Sequence, residues 1–269
     1  FGNGLVTTPE DFGIKGAPPT HPKLLDWLVL YFEDHDYSLK KLVRAIVLSE
    51  TYRQSSDTSE AQLQADPENT WLARGPRFRM DAEMVRDNIL AVSGTLSLKQ
   101  KGPPIYPQQP DGLWTKIGGQ VYNYETSPLS DANRRSVYVV WKRASPYPSL
   151  INFDSTSRLV CTVKRNRTNT PLQALTLLND PVYVNAAKQF SQRILREKAR
   201  GTWDEKLNHA YRTCLSRLPT PTERQRLQEL YDSIQADAPL TQSASEKEMR
   251  AWFEIATVLL NLHETITKE

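Results

Sequence analysis

Thr170–Lys198 reads TPLQALTLLNDPVYVNAAKQFSQRILREK, and it carries the same helix-opening device twice. Thr170-Pro171 and Asp180-Pro181 each place an oxygen acceptor immediately before a proline. The acceptor suits the N–H groups that a helix's first turn leaves unpaired. The proline, with φ set near about −65° and no N–H to satisfy, suits the first helical position. The stretch therefore predicts two helices in tandem, one over Leu172–Leu178 and one running to about Lys198.

Working outward, the same punctuation recurs. Thr220-Pro221-Thr222-Glu223 is a capping box with proline at its first helical position, and Ser245 with Glu248 is read as another. Helices are expected near 204–217, 221–236 and 247–263. Towards the N-terminus, Asp81 is a candidate N-cap for a helix to about Ser93, closed by Gly94. Ser38 opens a helix whose Leu39, Leu42, Val43, Ile46 and Val47 follow the amphipathic spacing, and Pro22 opens one to about Asp34. Residues 53–78 are polar and loop-like. Arg135–Lys142 (RSVYVVWK), β-branched and aromatic, is the one expected strand. These elements predict a mainly α fold, an irregular multi-helix assembly with long ordered loops and a small β element. Residues 1–269 read as a single helical domain, truncated at its N-terminus. The aperiodic stretch 99–133 offers a joint between subdomains 1–98 and 134–269.

The composition is that of an ordinary globular chain: 269 residues, 39% hydrophobic and 24% charged. No apolar run approaches 18 residues, so no membrane span is expected. Cys161 and Cys214 leave pairing open, and neither belongs to a CxxC or CxxCH pattern. The abrupt start at Phe1, without a leader segment, reads as a cut inside a longer protein.

Charge is unevenly spread. Between residues 134 and 167 lie Arg134, Arg135, Lys142, Arg143, Arg158, Lys164, Arg165 and Arg167 against the single acid Asp154. That is a net +7 in a chain of overall +3, leaving −4 elsewhere. Interleaved with Tyr138, Trp141, Tyr147 and Phe153, such a segment suits an anion by Coulomb attraction and stacking. Arg134, Arg135, Arg143, Arg158, Arg165 and Arg167 are the candidate ligand-binding residues. The competing and favoured reading makes several of them braces for irregular backbone. His21, Arg53, Asp154, Asn169 and Gln173 are then read as a structural polar cluster.

Catalytic signals are weak. His21, His35, His209 and His263 are too dispersed for a paired metal-ligand helix, so no metal site is expected. There is no GxSxG elbow and no phosphate loop. Gly118-Gly119-Gln120 spells the tripeptide of peptide-release factors, which in a glycine-rich loop carries little weight. Cys161 lies near Lys164, Arg165 and Arg167, but a small buried hydrophobe is the favoured reading. Asp81 and Glu83, two apart at a helix start, do not share a face as an acid–base pair would.

Several strings taken together resemble a known family. They are Gly4-Leu5-Val6 with Thr8-Pro9 and Asp11-Phe12-Gly13, Pro19-Thr20-His21-Pro22 with Leu24-Leu25-Asp26-Trp27-Leu28, and Ser49 with Thr51-Tyr52-Arg53-Gln54-Ser55-Ser56. To these add Arg135-Ser136-Val137-Tyr138, Phe153-Asp154 with Ser157-Arg158, and Arg167-Thr168-Asn169-Thr170-Pro171-Leu172-Gln173-Ala174-Leu175 with Leu178-Asn179-Asp180. The combination resembles the planctomycete-type domain of unknown function 1553, the C-terminal domain found behind cytochrome-c-like domains in large exported bacterial proteins. The resemblance spans nearly the whole chain, with the family pattern beginning slightly upstream of Phe1. It implies an exported or periplasmic setting, cytochrome-c-like neighbour domains as partners and a part in polysaccharide breakdown. Haem would belong to those neighbours, and no cofactor is expected in this stretch. It carries no catalytic residues across.

Two functional readings follow. The preferred one is a non-catalytic binding or scaffold domain that contacts anionic polysaccharide or neighbouring domains. The alternative is a carbohydrate-active enzyme with a site near His21, Asp154 and Arg158, joined by Asp11 and Arg53. Nucleic acid is disfavoured as a partner by the −4 remainder and the implied export.

Overall fold

The protein is described by a computed structural model covering residues 1–114, 123–239 and 241–268. Gly118-Gly119-Gln120 lies outside the described residues. The fold is mainly α, with eleven helices and one two-stranded antiparallel sheet among those residues. It divides into two compact units, residues 1–79 with 267–269, and residues 80–266. The stretch 99–133, offered by the sequence as a joint, lies inside the second unit.

In the first unit, α1 (Pro22–Asp34) and α2 (Leu39–Leu48) form where proline and Ser38 place them, and the Ser38 hydroxyl accepts from Lys41 N. The 53–78 region is not wholly loop. Ser59 and Gln62 make a reciprocal capping box that opens the short helix α3 (Glu60–Ala65). Strand β1 (Phe78–Arg79) pairs antiparallel with β2 (Thr267–Lys268), Phe78 opposite Lys268 and Arg79 opposite Thr267. Neither α1 nor α2 contains a fully buried residue. The apolar set of α2 splits, with Leu42 and Ile46 half-buried and Leu39, Val43 and Val47 exposed.

The second unit holds the core. It contains α4 (Ala82–Ser93), α5 (Leu129–Ala132), α6 (Pro148–Asn152), α7 (Pro171–Asn179), α8 (Pro181–Glu197), α9 (Trp203–Leu215), α10 (Pro221–Ala236) and α11 (Ala244–Leu260). Gly94 closes α4 at φ 77°, a left-handed conformation that glycine adopts without a Cβ penalty. The long helices α8 and α11 pack along one another, α4 lies against α8, and α10 against α11. Their inward stripes are Val85 and Ile89 of α4, Phe190 and Ile194 of α8, Leu207 and Tyr211 of α9, and Trp252, Ile255 and Leu259 of α11, all essentially fully buried.

Two expectations are corrected. The last capping box is Ser243 with Glu246, so α11 begins before Ser245; Glu248 instead lies in the helix and takes Lys206 Nζ at 2.6 Å. The expected strand over 135–142 is a 3-10 turn at Ser136–Tyr138, with Val139 alone bridging to Ile105. The cause is local. Asp87 Oδ1 on α4 takes Ser136 N at 2.7 Å, and Val139 N turns back to Ser136 O. A ladder over this segment would need those same groups.

Phe190 sits fully buried on the helix that contacts both α4 and α11. Phe190→Ala is expected to cost about 4 kcal/mol through lost burial and an unfilled cavity. Urea unfolding followed by tryptophan fluorescence would read this as a lowered midpoint.

Candidate functional site

The arginine-rich segment runs from the end of α5 to the start of α7, and its cations meet three different fates. The first is burial. Arg134 is 1% exposed and donates through Nε to Lys99 O (3.1 Å), through Nη1 to Pro103 O (3.1 Å) and through Nη2 to Lys101 O. Its guanidinium lies 3.8 Å from the centre of the Tyr138 ring, whose hydroxyl accepts from Lys101 N. Lys101 and Gly102 both adopt positive φ, so the loop curls its carbonyls inward around one side chain. Arg86 on α4, 0% exposed, continues the pattern. Its Nη2 donates to Ala132 O (2.7 Å) and its Nη1 to Arg134 O (2.9 Å) and Ser136 Oγ (3.2 Å). Two guanidinium groups thus satisfy carbonyls that have no ladder to join.

The second fate is pairing with the first turn of α4. Arg165 grips Glu83 with both terminal nitrogens, at 2.5 and 3.2 Å, and Arg167 lies 3.7 Å from Asp81. Burial pushes the Glu83 carboxyl up, but the hydrogen bonds and charge of Arg165 outweigh it and hold that carboxyl below the ordinary range. Arg135 meets the other end of the brace, 3.4 Å from Asp87, and remains largely exposed.

The third fate is exposure. Arg143 and Lys164 face solvent. Arg158 is exposed as well, its guanidinium 4.7 Å from the ring centre of Trp141, whose Nε1 donates to Ser157 O. Lys142 lies over Trp114 at 4.7 Å.

Loop 154–170 is shaped by Asp154, at φ 61°, and Arg158, at φ 55°. Both occupy the left-handed region, which non-glycine residues enter at a cost. Asp154 Oδ2 offsets it by accepting from Thr168 N (2.8 Å) and Thr168 Oγ1 (2.8 Å), which ties the two ends of the loop together. Gln173 Nε2 approaches Thr168 Oγ1 at 3.3 Å, while its buried Oε1 meets no donor among the described residues.

Of the expected polar cluster, the structure thus joins Asp154 and Gln173, both through Thr168 and directly, Gln173 Nε2 donating to Asp154 Oδ2 at 3.5 Å. Asn169 is exposed. His21 and Arg53 belong to the first unit, where His21 Nδ1 lies 3.0 Å from Thr20 Oγ1 and Arg53 is exposed. Asp11 Oδ1 accepts from Gly13 N. Cys161 is an exposed free thiol, contrary to its reading as a buried hydrophobe. Cys214 is also free, and burial pushes its thiol up to about 11. Among the described residues no group of three or more His, Cys, Asp or Glu gathers as a metal site, and no helix is long and apolar enough to cross a membrane.

Arg86, Asp87 and Thr168 are the contributors that sequence reasoning overlooked. Arg86 left a signal: with Ala82, Val85 and Ile89 it occupies the inward stripe of α4, where a cation needs internal acceptors.

The family model of PSD1, a protein of unknown function (DUF1553), matches residues 1–231, and the chain belongs to that family. No curated protein and no solved structure matches.

Two expectations test the brace. Arg86→Met would strand three buried acceptors and is expected to lower stability by about 3 kcal/mol or more, measured by urea unfolding. Asp180, which caps α8 through Val182 N, has its carboxyl pushed up to about 6, chiefly by burial. A raised carboxyl favours the folded state more as pH falls from about 6 towards its unfolded value. Asp180→Asn keeps the cap without the buried charge. It is expected to raise the urea midpoint at pH 8, with the gain vanishing below about pH 4.

Proposed function

We propose that this family member is a binding or scaffold domain of a larger exported bacterial protein. Its exposed cations between residues 143 and 164 would contact an anionic polysaccharide or a neighbouring domain, cytochrome-c-like neighbours included. The observation that carries the reading is Arg158 resting on Trp141. A guanidinium held over an indole keeps its outer edge free for a carboxylate or sulfate, and the ring offers an apolar face to a sugar. Arg143 and Lys164 add exposed charge on the same segment, whereas Arg134 is committed to carbonyls and Arg165 and Arg167 to carboxylates. Of the six arginines that suggest a polyanion, Arg143 and Arg158 are therefore the better contacts.

Asp154 bears on the enzymatic alternative. One of its carboxylate oxygens already takes two donors from Thr168, which makes it a clasp on its loop.

Calorimetric titration of the chain with heparin and with polygalacturonate tests the proposal. Saturable binding that weakens with added salt is expected. Arg158→Ala and Arg143→Ala are each expected to reduce affinity by roughly fivefold, in line with a single partly solvated cation contact. Binding that ignores salt, or no binding to either polymer, would remove the glycan from the reading.

A further inference from the structure

Helix α2 carries Lys40, Lys41 and Arg44 and no acidic residue in its ten positions. Leu42, Ala45 and Ile46 are half-buried on its inner side. The outer side is apolar too: Leu39, Val43, Val47 and Leu48 are 67, 54, 37 and 56% exposed. Leu39, Val43 and Val47 form one row at four-residue spacing, and Lys40, Arg44 and Leu48 form the row beside it. Between these two rows runs an open furrow of about 440 Å³, lined by α2 alone. Around the same helix, Ala45 and Ile46 meet Leu24, Trp27 and Leu28 of α1 across a second hollow of about 390 Å³.

Parallel rows at this spacing are the surface into which the side-chain ridges of another helix fit. A contiguous exposed apolar stripe on a folded unit marks an interaction surface. Charge decides the partner's flanks. Lys40 and Arg44 border the furrow with no carboxylate partner among the described residues, and Lys41 has only the exposed Asp36, at 3.9 Å. Row spacing decides its class: the side chains of a second helix interleave with rows four residues apart, whereas a fluid bilayer surface presents no ridges to match them.

We propose that the outer face of α2 docks an amphipathic helix of a partner protein, one whose apolar stripe is flanked by Asp and Glu. Apolar side chains of that helix would seat between Leu39, Val43 and Val47, and its carboxylates would face Lys40 and Arg44. The surface lies in the first unit and is independent of the arginine segment.

The test uses the full chain and a fluorescent, lactam-stapled helical peptide with leucines at i, i+4 and i+7 and glutamate flanks, measured by anisotropy. The comparators are the same peptide with lysine flanks and phosphatidylglycerol vesicles. Saturable binding of the glutamate peptide, weakening with salt, is expected. The double variant Lys40→Glu with Arg44→Glu should weaken it by about tenfold and shift preference to the lysine peptide. Val43→Ser should weaken both peptides, and circular dichroism confirms that each variant stays helical. The proposal is overturned by absent or non-saturable binding, by equal binding of the two peptides, or by indifference to the double variant. It is equally overturned if the vesicles bind and the peptide does not, or if Val43→Ser abolishes a self-association of the chain.

Discussion

Two buried guanidinium groups organise the second unit. A helical fold with long connections leaves many carbonyls outside any ladder, and each one buried without a donor costs free energy. Arg86 and Arg134 answer this together, one anchored on α4 and the other at the end of α5, with five backbone carbonyls between them. A fixed fork of five N–H donors suits such a task better than a lysine point charge. Asp87 extends the network by holding the Ser136 amide. The paths of residues 99–103 and 132–136 are set largely by these bonds.

That dependence explains what the sequence disclosed and what it withheld. Helix starts were legible because their signals are local: Asp180 and Thr220 cap their helices within one turn, while at Thr170-Pro171 the proline alone marks the start, the Thr170 side chain making no cap hydrogen bond. The Ser243 box was missed by two residues because both Ser243 and Ser245 have a glutamate three positions on. RSVYVVWK failed as a strand for a different reason. Its β propensity is real, but among the described residues it meets only the single bridge from Val139 to Ile105, and Asp87, some fifty residues earlier, claims the Ser136 amide. Long-range contacts of this kind leave no mark in a local window. Arg86 was the exception, a charge set in an apolar stripe.

Charge counting was a coarse guide to the candidate site. The +7 segment treats all its cations alike, yet the structure separates a carbonyl-bound Arg134 from a carboxylate-bound Arg165 and an indole-stacked Arg158. What distinguishes them is whether each side chain points into the loop, along α4 or outward, a property that the tertiary path sets. The clasp between Asp154 and Thr168 similarly joins residues fourteen apart whose partnership no spacing rule supplies.

The two-rung ladder of Phe78–Arg79 with Thr267–Lys268 has a practical meaning for anyone dissecting the molecule. Because Arg79 stands opposite Thr267, and Met80 N reaches Ile266 O, the excursion from residue 80 to residue 266 departs and returns at adjacent rungs. A simple C-terminal deletion at residue 79 would strip β1 of its only ladder neighbour among the described residues. A splice that carries Arg79 through a short turn directly into Thr267 would instead retain that neighbour, converting a discontinuous unit into an uninterrupted one closed by a hairpin.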